Sequence, residues 1–123
     1  MLSWIQRIWP ARPRLDALQS CQAMIEFDLQ GCITEVNDLF LQAMGYTRQA
    51  LIGQHHRGFM PPGEADLPAY RDFWAQLRAG QHVSGEFCRV KQDGQHIWLQ
   101  ACYAPVLDWR GRPARVIKIA QDI

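Results

Sequence analysis

No class of residue dominates this sequence, and several telling patterns are missing. The 13 basic and 12 acidic residues leave a formal net charge of +1, whereas a nucleic-acid-binding face is basic. The short cluster Arg7, Arg12 and Arg14 stands beside prolines instead. No stretch approaches the ~20 apolar residues of a membrane-spanning helix. The apolar start, Met1 to Trp9, lacks the basic opening, longer apolar core and small-residue cleavage site of a secretory leader, so the cytoplasm is the expected compartment. The four cysteines, Cys21, Cys32, Cys88 and Cys102, form no Cys-x-x-Cys pair. They are expected to be reduced and structural, since free cysteine in apolar surroundings behaves as a small hydrophobe. Zinc spacing, a phosphate loop and a Gly-x-Ser-x-Gly elbow are also absent. Asp28, Glu35 and Asp38 read as turn and surface carboxylates. No enzymatic activity is expected.

What remains is ordinary globular material. A chain of 123 residues, 48% hydrophobic and 20% charged, suits a single domain that can bury a core without staples. We divide it into an N-terminal helical cap or linker, 1–22, and a main domain, 23–123. In the first part Leu2, Ile5, Ile8 and Trp9 recur at helical spacing before Pro10 and Pro13 break the chain. Leu15, Leu18 and Cys21 suggest a second short turn.

In the second part, Ala23–Asp28 and Cys32–Val36 read as strands joined at Gly31. Asn37 is a good N-cap for a helix through Met44 that Gly45 ends. Thr47 caps a short helix, Arg48 to Ile52. The proline- and glycine-rich stretch from Gln54 to Gly63 reads as loop. Leu67, Tyr70, Phe73, Trp74 and Leu77 mark the longest helix. Val83–Lys91, Gln95–Val106 and Ala114–Ile123 are strands, with turns at Asp93-Gly94 and around Gly111. Two strands, several short helices and three strands give an α+β domain: a five-stranded antiparallel sheet with short helices on one face and an N-terminal amphipathic helix.

A half-covered sheet of this kind leaves room for a small pocket with a few orienting polar groups. The candidates are Asn37, His55, His56, Arg57, Trp74, Tyr103 and Lys118. Trp74 offers a flat face and one N–H, although a tryptophan at helical spacing also suits a core. His55 and His56 are adjacent, point in different directions and have no third partner at metal spacing, so no metal site is expected. A single axial imidazole is enough for haem; hydrogen bonding to loop backbone is the plainer role. Trp98, Gln100 and Cys102 share one face of their strand; Ile97, Leu99, Ala101 and Tyr103 share the other. Lys118 points inward if Ile117 and Ile119 point outward, and would then pair with Glu86, Glu26 or an anionic ligand; otherwise it is solvated.

The element order resembles that of PAS domains, and so do the residues. The resemblance is carried by Ile25-Glu26-Phe27-Asp28, Ile33-Thr34-Glu35-Val36-Asn37, Gly45-Tyr46-Thr47, Leu51-Ile52-Gly53-Gln54-His55-His56, Phe73-Trp74-Ala75-Gln76-Leu77-Arg78-Ala79-Gly80, Asp93-Gly94 and Pro105-Val106-Leu107-Asp108. It covers Ala23 to Ile123 and is strongest toward the soluble, aerotaxis-like chemoreceptors. The resemblance implies a sensory input domain for redox or oxygen that binds FAD. In flavin-binding aerotaxis receptors a tryptophan at the place of Trp74 stacks on the flavin, and the positions of Asn37 and His56 lie in or near the pocket. Where those receptors carry Arg-His-Pro-Asp, this chain reads Met60-Pro61-Pro62-Gly63. The resemblance also implies that Ile97, Leu99, Ala101 and Tyr103 face the pocket. The closing Asp122-Ile123 implies a junction to a downstream coiled-coil signalling region.

Two other readings stand beside FAD. One is a haem-based gas sensor using His55 or His56. The other is a cofactor-free module, for metabolite binding or dimerisation, of a kinase or cyclase. The expected partner is a second copy, joined through the N-terminal helix and the outer sheet face with Trp98 and Ile119.

Overall fold

Short polar side chains set the turns that hold this sheet in register. In this computed structural model, which describes Ala17 and residues 21–123, β1 (Ala23–Phe27) and β2 (Ile33–Val36) form the first antiparallel pair. Asp28 Oδ1 accepts from the backbone N–H of Gln30 at 3.0 Å and of Cys32 at 2.9 Å, the bonding of an Asx turn. Gly31 follows with φ +91°, and a Cβ there would stand 2.7 Å from His55 Nε2 and 3.2 Å from Trp74. Backbone conformation and close approach both demand glycine. The expected cap helix at Leu2–Trp9 and the turn residues Leu15 and Leu18 lie outside the described residues.

Asn37 joins the sheet to its cover. Its Oδ1 accepts from Phe40 N at 3.1 Å, capping α1 (Asp38–Met44), and from Met24 N at 2.9 Å, while its Nδ2 donates to Gln22 O at 2.8 Å. Gly45 ends α1 in the left-handed region. Thr47 caps α2 (Arg48–Leu51), which ends one residue before the expected Ile52.

The stretch expected as loop is partly wound. A 3-10 turn spans His56–Phe59 and a second spans Glu64–Asp66. His55 explains the first: its Nδ1 accepts from Arg57 N at 3.0 Å, so an imidazole does the capping usually done by Ser, Thr, Asp or Asn. The longest helix, α3, runs over Pro68–Arg78 with proline in its first turn, where the missing N–H costs nothing. Leu67 stays outside it. Tyr70, Trp74 and Leu77 form its buried stripe.

The chain then makes β3 (Val83–Val90), β4 (His96–Leu107) and β5 (Pro113–Asp122), completing an antiparallel sheet of order β2-β1-β5-β4-β3. The last strand is central. Its register pairs Lys118 with Ile25 on one side and Tyr103 on the other. Leu99, Ala101, Tyr103, Lys118 and Ala120 therefore face the helices, and Trp98, Gln100, Cys102, Ile117 and Ile119 face away. Phe27, Phe40, Phe59, Tyr103 and Leu77 are fully buried in the resulting core. Each such side chain contributes roughly 1.5–3 kcal/mol of transfer free energy.

Candidate functional site

The polar heart of the domain is His56. It is fully buried, and both ring nitrogens bond to phenols: Nδ1 lies 2.8 Å from the Tyr70 hydroxyl and Nε2 lies 3.0 Å from that of Tyr103. Arg89 Nη2 donates to the same Tyr103 oxygen at 3.1 Å. The chain Tyr70–His56–Tyr103–Arg89 thus links α3, the first 3-10 turn, β4 and β3. Rings enclose it. Phe73 meets Tyr103 edge-on at 4.7 Å between centroids, and stacks on His56 at 5.8 Å.

The charges follow from that burial. His56 is held well below the usual imidazole value, first by desolvation and then by the charges of Lys118, Arg89 and His55, so it is a neutral ring. Burial pushes the Tyr70 hydroxyl up to about 12. For Tyr103, burial acts upward but the charges of Lys118 and Arg89 outweigh it, leaving the phenol below its ordinary value. Lys118 is lowered, chiefly by desolvation. A neutral imidazole between two unequal phenols has two hydrogen-bonded states. Either Tyr70 donates to Nδ1 and Nε2–H donates to Tyr103, or both bonds run in the opposite direction. The chain can therefore carry a change of polarity across the core without any backbone break.

Of the residues singled out in the sequence, the fold brings four together: His56, Trp74, Tyr103 and Lys118. Lys118 faces inward with its ammonium 5.0 Å from the Tyr103 ring centre and 5.7 Å from that of Phe40. The carboxylate partners expected for it are elsewhere. Glu86 is exposed and registers with Gln100 on the outer face. Glu26 registers with Ile117 on that same face and accepts from Thr34 Oγ1 at 2.6 Å. The other three candidates lie apart. Asn37 is engaged as the cap of α1. His55 uses both nitrogens structurally, Nδ1 as above and Nε2 donating to Gln30 O at 2.7 Å. Arg57 is exposed.

Three members of the site went unremarked in the sequence. Arg89 lies within the expected strand Val83–Lys91 and shares a face with Phe87 at period two, which was the available signal. Tyr70 and Phe73 were read as helix core, although a tyrosine four residues before Trp74 also brings a hydroxyl to the same face.

The implied prosthetic groups can be tested against these side chains. For FAD the donor chemistry is suitable: Trp74 Nε1, Arg89 Nε and Lys118 Nζ are buried without a hydrogen-bond partner, and an isoalloxazine rim is rich in acceptors. The space is not. Trp74 is 4% exposed, and Phe27, His56 and Phe73 pack perpendicular to its indole with centroids 5.6, 5.5 and 5.6 Å away, so the indole has no open face for a flavin to stack on. As packed, the residues do not fit FAD. Haem needs an imidazole nitrogen for iron, and those of His55 and His56 are all engaged. Among the described residues no three His, Cys, Asp or Glu side chains converge on a metal position. Nor is any described helix long and apolar enough to cross a membrane.

Comparison with known proteins agrees with this architecture. The PAS fold family matches residues 33–120. Over 110 residues the chain is 47% identical to the biofilm dispersion protein BdlA of Pseudomonas aeruginosa, an alignment covering 89% of this chain and 26% of that protein. Over 82 residues it is 39% identical to the aerotaxis receptor of Escherichia coli K12, covering 65% and 16%. The chain thus spans about a quarter or less of these relatives. Among solved structures, a PAS domain from Colwellia psychrerythraea superposes with a TM-score of 0.79 at 23% identity, covering 94% of this chain and 98% of that one. A light-oxygen-voltage domain studied with a flavin analogue gives 0.76 at 20% identity, covering 90% and 84%.

Proposed function

This chain belongs to the PAS family, and from that premise we propose that it is the sensory input module of a larger, chemoreceptor-type signalling protein and has no catalytic role of its own. The observation that carries the reading is the buried chain Tyr70–His56–Tyr103–Arg89. It connects the helical cover to the sheet, and it has two states that an incoming molecule can bias. Likeness to a biofilm dispersion protein and to an aerotaxis receptor supports the class of output. The module works in the cytoplasm as a dimer across the outer sheet face, where Trp98 is 57% exposed, and passes its state to a coiled-coil region. The test is His56→Gln in the full-length protein inside its own cell. Loss of the behavioural response, with the protein folded and at its normal level, is expected. An unchanged response overturns the reading.

A second reading takes FAD as the resident group, sensing redox or oxygen. It is favoured by the unpartnered Trp74 Nε1 and by the likeness to an aerotaxis receptor. It requires α3 to stand further from the sheet. Absorbance of the purified protein at about 450 nm, lost in Trp74→Ala, supports it; colourless protein that takes up no added FAD removes it.

A further inference from the structure

The interior of this domain holds two cations and no anion. Arg89 is 4% exposed and Lys118 is 0%, and the ion pairs of the described residues all belong to Arg48. The buried carboxylate, Glu26, is on the far side of the sheet, because it registers with Ile117 while its neighbour Ile25 registers with Lys118. Burying charge without a counter-charge is costly, so such a pair invites an anion from outside.

Arg89 has the capacity to bind one. Of the five N–H donors of a guanidinium, one on Nη1 is given to Cys88 O at 2.9 Å and one on Nη2 to the Tyr103 hydroxyl at 3.1 Å. Nε is buried and unpartnered. The Nε–H is therefore free to make a charge-assisted hydrogen bond to a carboxylate oxygen.

A way in also exists. A groove of about 500 Å³ reaches Arg89 between α3 and the β3–β4 edge, a size usual for small-molecule sites. Phe73 and Phe87 wall it, and Trp98 reaches its mouth from the outer face around the edge of β3. Leu67, 53% exposed, is a large apolar residue left facing water, and it lines the groove. Glu64, Glu86 and His96 stand along it as well. Glu64, Glu86 and His96 are exposed and screened by solvent, whereas the Arg89 end is dry.

We propose that this groove binds a small organic carboxylate with an apolar body, its carboxylate on the Nε–H of Arg89 and its body on Phe73 and Phe87. The inference rests on the reading of the domain as a sensor and names its class of stimulus. An anion on Arg89 offsets a charge that acts on Tyr103, so occupancy reaches His56 and Tyr70 along the hydrogen-bonded chain. Lys118, across the Tyr103 ring, adds to the potential that draws the anion in.

The test is calorimetric titration of the 123-residue chain with 4-phenylbutyrate and hexanoate, using neutral 4-phenylbutyramide as control. The carboxylates should bind with Kd below about 1 mM, and phenylbutyrate about tenfold or more tighter than its amide. Arg89→Gln should weaken phenylbutyrate about tenfold, while Glu64→Gln at the rim should tighten it; the second variant keeps the test open if the first fails to fold. Equal binding of acid and amide, no binding of either acid at about 10 mM, or unaltered affinity in folded Arg89→Gln overturns the proposal. Binding here is read without signalling. A negative titration therefore removes the ligand class, while the behaviour of the His56→Gln cell decides the sensory role separately.

Discussion

Tyr103 and Lys118 sit opposite each other in the β4–β5 register, both fully buried, with the lysine ammonium 5.0 Å from the centre of the tyrosine ring. The ring face attracts the cation and the Tyr103 side chain favours its charged form, but no hydrogen bond of ordinary length satisfies the ammonium. The pair therefore marks a place where the fold sacrifices stability.

Lys118→Met should accordingly stabilise the domain. Methionine keeps the stem and removes the desolvated charge, and replacing buried ionic groups by apolar ones of similar volume gains ~1–4 kcal/mol. Equilibrium denaturation in urea, with an unchanged slope, should show the midpoint moving up. A clear loss of stability would mean that the ammonium has a partner that this packing does not reveal.

Tyr103→Phe should do the opposite. It strips one oxygen that serves both His56 Nε2 and Arg89 Nη2 and leaves buried donors unmet, at a cost of ~1–3 kcal/mol for each group left bare. Thermal or urea unfolding measures it, and a neutral result contradicts the shared role of that hydroxyl.

Acid should weaken the fold through His56. Its folded-state value lies well below its ordinary one, so above about pH 6.5 it is neutral whether folded or not, and its contribution is intact. As pH falls below that point, the unfolded chain takes up a proton that the folded ring refuses. Stability then falls, with a limiting slope of ~1.4 kcal/mol per pH unit. Unfolding free energies measured between about pH 5 and 7.5 should show this slope, and His56→Gln should lack it. The same slope in both proteins assigns it to other groups.

Gly31→Ala should be severe for a turn residue. The φ of +91° strains any L side chain, and the new Cβ would fall 2.7 Å from His55 Nε2, displacing the bond from that nitrogen to Gln30 O. A loss of ~1–3 kcal/mol is expected, read by thermal unfolding. An alanine variant of wild-type stability would show that His55 can swing away freely.

Sheet, helices and turns were legible in the sequence because each was written locally. Asp28, Asn37, Thr47 and the Asp93-Gly94 pair act within a few residues of themselves, and the alternation of Leu99, Ala101 and Tyr103 states its own face. The site was only half legible. Trp74 and His56 announced themselves by residue type, but Arg89 joins the chain through the Tyr103 hydroxyl of the neighbouring strand, and no short-range rule registers that. The 3-10 turn at His56–Phe59 was hidden for a related reason, since its cap is a histidine, a residue that capping rules do not favour. The orientation of Lys118 depended on the register of β5 between two strands, one of which lies almost a hundred residues away.

The position of β5 has a further consequence, for the birth of the domain. In the order β2-β1-β5-β4-β3, the two early strands and the two late ones share no edge until the final strand arrives between them. A nascent chain lacking Pro113–Asp122 carries a pair of half-sheets, each with an unpaired border. It also lacks Lys118, so the buried cluster around His56 and Tyr103 is completed in the same event that closes the sheet. Folding should therefore be a single late step once that strand is free of the ribosome, and until then the two open borders are where the chain is most exposed to pairing with its neighbours.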